Sequence, residues 1–208
     1  MNVSIEKSTG VVLTAIVLLS GLSACAPLVV GGAVMTGMVA VDRRTTGIQL
    51  EDEGIELRTA QGLRQNLGEN AHVNVTSYNR QVLLTGEVAT AAQKDTADKL
   101  AQSQENVKAV ANELTVQAVS SLTQRSKDII ITGQLKAFFV DAKDLQSNAF
   151  KVVTETGVVY LMGRVTSREA QRATDIARSV SGVTKVVRVL DIISEEELKR
   201  LSAQTTAK

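Results

Sequence analysis

One cysteine (Cys25), one histidine (His72), one proline and no tryptophan occur in the 208 residues. A single cysteine excludes an intrachain disulfide framework and any multi-cysteine zinc or iron–sulfur site. With one histidine and one cysteine, little remains from which to build a Ser/His or Cys/His catalytic arrangement. Two tyrosines and three phenylalanines are the whole aromatic inventory, too few to line a stacking platform for bases. Charge of one sign is lacking as well. The chain carries 23 Lys plus Arg against 22 Asp plus Glu, a net +1, without the basic excess of a nucleic-acid-binding surface. No glycine-rich phosphate loop follows a predicted strand. His72 reads as an ordinary polar residue at a strand entry, and Glu195-Glu196-Glu197 with Lys199 and Arg200 as a solvated helix end. The sequence therefore predicts no catalytic residue, no cofactor, no metal site and no nucleic-acid partner.

What is present begins with an uneven apolar content. Glu6 and Lys7 are the only charged side chains before residue 42, and Val11 to Leu19 form an uninterrupted mainly apolar run. That run is shorter than the ~20 apolar residues needed to span a bilayer. Followed by Ser20-Gly21-Leu22-Ser23-Ala24-Cys25, it has the order of a secretory leader with small residues before a cut site. Residues 26–41 are again uncharged and apolar, but Gly21 and Pro27 interrupt a continuous helix between the two stretches. The reading is a leader over residues 1–24 and an apolar tether over 25–48. A single membrane span formed by residues 11–41 is the weaker alternative.

A duplication occupies most of the remaining chain. Val82-Leu83-Leu84-Thr85-Gly86-Glu87-Val88 resembles Val159-Tyr160-Leu161-Met162-Gly163-Arg164-Val165 at an offset of 77 residues. Ala97 to Ala101 resembles Ala173 to Ala177 at 76, and Ile55, Thr59 and Leu63 align with Ile131, Leu135 and Phe139, also at 76. Repeats of this length are duplicated domains, longer than the 20–50 residues of a solenoid unit. Each copy predicts a helix (52–67 and 127–142), with Asp52 and Asp128 at its start where acids suit the helix dipole. Two short alternating strands follow, ended by Gly86 and Gly163 and joined around Tyr78-Asn79-Arg80 or Glu155-Thr156-Gly157. A second helix (90–104 and 167–180) and a third strand (107–116 and 183–193) complete it. The fold class is α+β: two tandem αββαβ domains, at 49–117 and 125–193, each a layer of helices over one sheet face. A polar tail occupies 194–208.

The Leu-Ser-Ala-Cys ending of the leader resembles the bacterial lipobox, which implies that Cys25 is the lipidated first residue after cleavage. The duplicated αββαβ pattern, with glycine after the second strand and Asn-Val or Gly-Val before the third, resembles the BON domain. Behind a lipobox, with Asp42 to Gln49 matching the linker, the whole resembles the dual BON-domain outer-membrane lipoproteins of the DolP type, related to OsmY. The resemblance implies no catalysis, a lipid-anchored protein facing the periplasm at the outer membrane, and Ala26 rather than Asp after Cys25 agrees with that destination. It also implies an anionic phospholipid membrane as partner, bound through the first helix of the second BON domain, and a role in outer-membrane integrity. On that helix, Ile131, Leu135 and Phe139 read as core, while Lys127, Ile130, Gln134, Lys136 and Phe138 are the candidate phospholipid-binding residues. Cations beside an apolar side chain suit a surface dipping among headgroups. Two alternatives stay open: that Ile129 and Ile130 pack against the other domain, and that the domains form a protein-interaction or oligomeric scaffold for envelope partners.

Overall fold

The computed structural model describes residues 42–68 and 70–206; Cys25, the leader and most of the tether lie outside the described residues. Ala40–Lys208 forms a compact unit of its own. The first repeat comprises α1 (Thr46–Leu67), β1 (His72–Tyr78), β2 (Gln81–Val88), α2 (Ala91–Gln102), β3 (Ala109–Asn112) and β4 (Thr115–Val116). The second comprises α3 (Leu122–Asp141), a 3-10 turn (Ser147–Ala149), β5 (Phe150–Glu155), β6 (Val158–Thr166), α4 (Ser167–Ser179) and β7 (Lys185–Ile193). A last helix, α5 (Glu195–Thr206), covers much of the predicted polar tail. The class is α+β with a tandem duplication, as expected.

In each repeat a two-residue hairpin sets the antiparallel pair β1–β2 or β5–β6, and the strand after the helix returns parallel to the central one. The central strands read as continuous apolar runs because both of their faces are covered. Val82, Leu84 and Val88 of β2 pack with Ile55, Leu63, Ala97 and Ala101 of the helices. Val159, Leu161 and Val165 of β6 do the same with Ile131, Leu135, Phe139, Ala173 and Ala177. The intervening side chains Leu83, Tyr160 and Met162 point the other way and join Tyr78 in a third apolar cluster shared by the two sheets. The helices thus cover one face of each sheet, and the sister sheet contributes to the cover on the other.

Four sequence expectations change. Both long helices start five or six residues earlier than predicted, because Thr45 and Ser121 cap them by accepting from the Ile48 and Gln124 amides. Asp52 and Asp128 consequently do not sit at helix starts but are buried along them, and they act on the hairpins. Asp52 accepts from the amides of Asn79 (2.8 Å) and Arg80 (2.7 Å), and Asp128 from those of Thr156 (2.9 Å) and Gly157 (2.8 Å). These four turn residues have positive φ, the signature of a type I′ turn. Gly86 and Gly163 do not end their strands: they lie within β2 and β6, where a Cβ would collide with the carbonyl oxygens of His72 and Ala149. The stretch 107–116 is two strands rather than one. Leu114, between them, is buried, and its carbonyl accepts from Lys94 Nζ (2.6 Å).

The stretch before α1 also reaches across the molecule. Arg43 is buried and donates to both oxygens of Glu169, at 2.8 and 2.7 Å, while Arg44 stacks 4.1 Å above the Tyr78 ring and pairs with Asp52.

Candidate functional site

Helix α3 is held in a fixed rotation. Ile131, Leu135 and Phe139 are buried, Phe139 meets the Phe150 ring at 5.1 Å between centroids, and Thr132 Oγ1 donates to Thr154 Oγ1 (2.7 Å). Asp128 ties the same face to the β5–β6 turn. With the inner face so committed, the outer positions can only face solvent. Of the ten exposed large hydrophobic residues among the described ones, five are on this helix: Leu122, Ile129, Ile130, Phe138 and Val140. Leu122, Ile129 and Val140 fall along one line of the helix, and Ile130 and Phe138 on the flank beside it, a concentration beyond the single exposed apolar side chains every protein carries.

All five predicted residues, Lys127, Ile130, Gln134, Lys136 and Phe138, are exposed. At about 100° of rotation per residue, Lys127, Ile130, Gln134 and Phe138 fall on one flank of the helix. Lys136 does not join them. It lies about 160° around the helix from Phe138, beside Val140, and lines a groove of ≈ 540 Å³ that also includes Arg44, Tyr78 and Lys151. Ile129 and Ile130 are 72% and 60% exposed, so neither is buried against the first repeat. Leu122 was missed because it precedes the predicted helix start, and the Ser121 cap was the signal for it.

Charge sharpens the patch. Helix α3 carries Arg125, Lys127 and Lys136, and of its two acids Asp128 is buried and only Asp141 is exposed. The corresponding helix α1 carries Glu51, Asp52, Glu53 and Glu56 against Arg58 and Arg64. Of the two helices, α3 is the one whose exposed charge is predominantly positive.

A second constellation lies beside Ile129. His72 Nδ1 stands 3.0 Å from Glu87 Oε2, and the same oxygen accepts from the Ser120 amide (3.2 Å). Asn74 Nδ2 donates to Glu155 Oε2 (2.9 Å) across the two repeats. Burial pushes the Glu155 carboxyl above its ordinary range, against the Asn74 hydrogen bond and with the charges of Glu87 and Asp128 adding to the rise. His72 is therefore more than a polar strand entry. Nothing in sequence spacing reveals this cluster, since Glu87 and Glu155 meet only when the repeats pack.

The BON domain family profile matches residues 52–118 and 127–194, one match in each repeat. The chain is 40% identical over 192 residues to the "Outer membrane lipoprotein DolP" of Haemophilus influenzae, covering 91% of this chain and 97% of that protein. It is 35% identical over 155 residues to the "21 kDa hemolysin" of Actinobacillus pleuropneumoniae, covering 74% of this chain and 80% of that protein. To the "Osmotically-inducible protein Y" of Escherichia coli it is 32% identical over 121 residues, 57% of this chain and 60% of that one.

Proposed function

Because the chain belongs to the BON-domain family, with its two domains matched in tandem, we propose that it is an outer-membrane lipoprotein that lays α3 on anionic phospholipid. Cys25 carries the acyl chains. Two or more chains anchor a protein stably, each buried methylene contributing about 0.8 kcal/mol. The second BON domain then meets the periplasmic surface of the same membrane, and through that contact the protein supports outer-membrane integrity. No catalytic step is assigned to it.

The observation that carries this reading is the gathering of exposed apolar side chains and exposed cations on one helix. Ile130 and Phe138 enter the interface, and Lys127 sits with them on the flank, where each cation contributes about 1 kcal/mol near an anionic surface. Gln134 lies between these residues at headgroup depth. Lys136, on the opposite flank, adds attraction at the membrane edge. Among the described residues no helix is long and apolar enough to cross a membrane, which agrees with surface attachment of this part.

Residues 42–208 form a compact unit and lack the anchor, so they isolate the contact. Titrating them with phosphatidylglycerol micelles, followed by residue-resolved NMR, is expected to shift the amides of 122–141 and leave those of 46–67 in place. Shifts confined to other elements, or none, would refute the assignment; in the second case the exposed face is left for an envelope protein partner.

A further inference from the structure

We propose that His72, Glu87 and Glu155 form a binding site for a first-row divalent cation of the zinc type, bridging the two BON domains. Each residue offers one ligand atom, and the three atoms lie within 4.8 Å of one another. Zinc holds imidazole nitrogen and carboxylate oxygen at about 2.0–2.2 Å, so ligands around one ion stand roughly 3.4 Å apart at tetrahedral angles. His72 Nδ1 and Glu87 Oε2 are already at 3.0 Å, and a Glu155 carboxylate oxygen stands within 4.8 Å of their ligand atoms.

Two further observations point to a ligand. The Glu87 side chain is completely buried, yet its Oε1 accepts no hydrogen bond among the described residues. A buried carboxylate oxygen without a donor is costly, and a cation held through both oxygens of Glu87 offsets that cost. Carboxylates are also gathered around it. Asp128 and Glu155 line a hollow of ≈ 240 Å³ with Arg125, His72 and Asn74, and Glu87 lies against the His72 ring. Asp128 is committed to the turn amides and is not a ligand. The cation takes the place of the proton between His72 Nδ1 and Glu87, Glu155 approaches from the second domain, and water completes the open side. One imidazole and two carboxylates form a mixed nitrogen–oxygen set that suits zinc or manganese rather than a soft, thiolate-seeking ion.

The bound ion ties β1 and β2 to the end of β5. Glu87 also holds the Ser120 amide, immediately before the Ser121 cap of α3, so the ion steadies the start of that helix.

Calorimetric titration of metal-stripped residues 42–208 with zinc chloride tests the site and excludes Cys25 as a competing ligand. The expected result is one saturable equivalent with micromolar or tighter affinity. His72→Gln and Glu155→Gln, both checked for folding by circular dichroism, are each expected to weaken it at least tenfold. Either variant alone suffices if the other does not fold. Leu57→Glu, on the exposed face of α1 and outside the cluster, is expected to bind zinc like the parent protein. The absence of saturable uptake, or an affinity unchanged in a folded His72 or Glu155 variant, would overturn the proposal.

Discussion

Helices α1 and α3 occupy the same place in their domains and bury the same pattern of positions. Asp52, Ile55, Thr59 and Leu63 in the first are matched by Asp128, Ile131, Leu135 and Phe139 in the second. Their outer faces differ. Helix α3 displays five large apolar side chains with Arg125, Lys127 and Lys136, whereas α1 displays Leu50 and Leu57 with Glu51, Glu53 and Glu56 against Arg58 and Arg64. Duplication has kept what the core and hairpin require and released what faces solvent, so the divergence lies where packing imposes no constraint. Under the proposed function, the two domains divide their work, one as support and one as contact surface.

The largest effect expected comes from a second place where the repeats differ. At the third position of the second helix, where the side chain reaches back to the Thr90 or Thr166 cap, the first repeat has neutral Gln93 and the second has Glu169. Burial alone would raise the Glu169 carboxyl, but Arg43 and the Thr166 amide outweigh it and hold the group below its ordinary range. Arg43→Ala leaves this carboxylate buried without its partner and is expected to cost about 4 kcal/mol in urea unfolding. Gln93→Ala, by contrast, is expected to cost only about 1 kcal/mol. Because the folded-state pKa of Glu169 is depressed, its contribution is present above the unfolded carboxylate value and lost as pH falls through the folded one. The Arg43 variant should therefore show a flatter acid limb, and Glu169→Gln should restore part of the loss.

The hairpin aspartates come next. Asp52 accepts from Ser77 Oγ and from Arg44 in addition to two turn amides, while Asp128 accepts from two amides and Gln124. Asp52→Ala is expected to cost about 3 kcal/mol and Asp128→Ala about 2 kcal/mol, the difference being the unpaired donors left behind. Equal losses would show that only the turn amides matter.

The seam between the sheets gives a pH test that the domains share. Tyr78 and Tyr160, the chain's two tyrosines, are each pushed up to about 12 by burial. The folded state favours the neutral phenol, so this stabilisation is intact below about pH 10 and is lost as pH rises through about 12. Tyrosinate absorbance should rise only near that value in the folded protein. A rise near 10 without unfolding would mean that the seam is open to water.

The duplication, its register and both helix cores were legible in the sequence because burial imposes periodicity on apolar residues. The helix starts were less so. Thr45 and Ser121 are the caps, but each precedes a turn of polar or isolated apolar residues that carries no periodic signal. The roles of Asp52 and Asp128 were hidden because their partners lie more than twenty residues away. The burial of Arg43 and the meeting of Glu87 with Glu155 depend on how the two domains pack, which no local pattern encodes. On α3 the exposed flank of Lys127, Ile130, Gln134 and Phe138 followed from helical spacing alone, whereas grouping Lys136 with it ignored the same geometry.

The smallest change in stability should accompany the largest change in membrane affinity. Ile130 and Leu57, 60% and 71% exposed, sit on the outer faces of the two compared helices, and replacing either by Glu is expected to alter unfolding by less than about 0.5 kcal/mol. Co-flotation of residues 42–208 with phosphatidylglycerol vesicles is the most direct measurement. The account predicts that the parent and Leu57→Glu proteins float alike, while Ile130→Glu stays with the soluble fraction. Undiminished flotation of folded Ile130→Glu would contradict it.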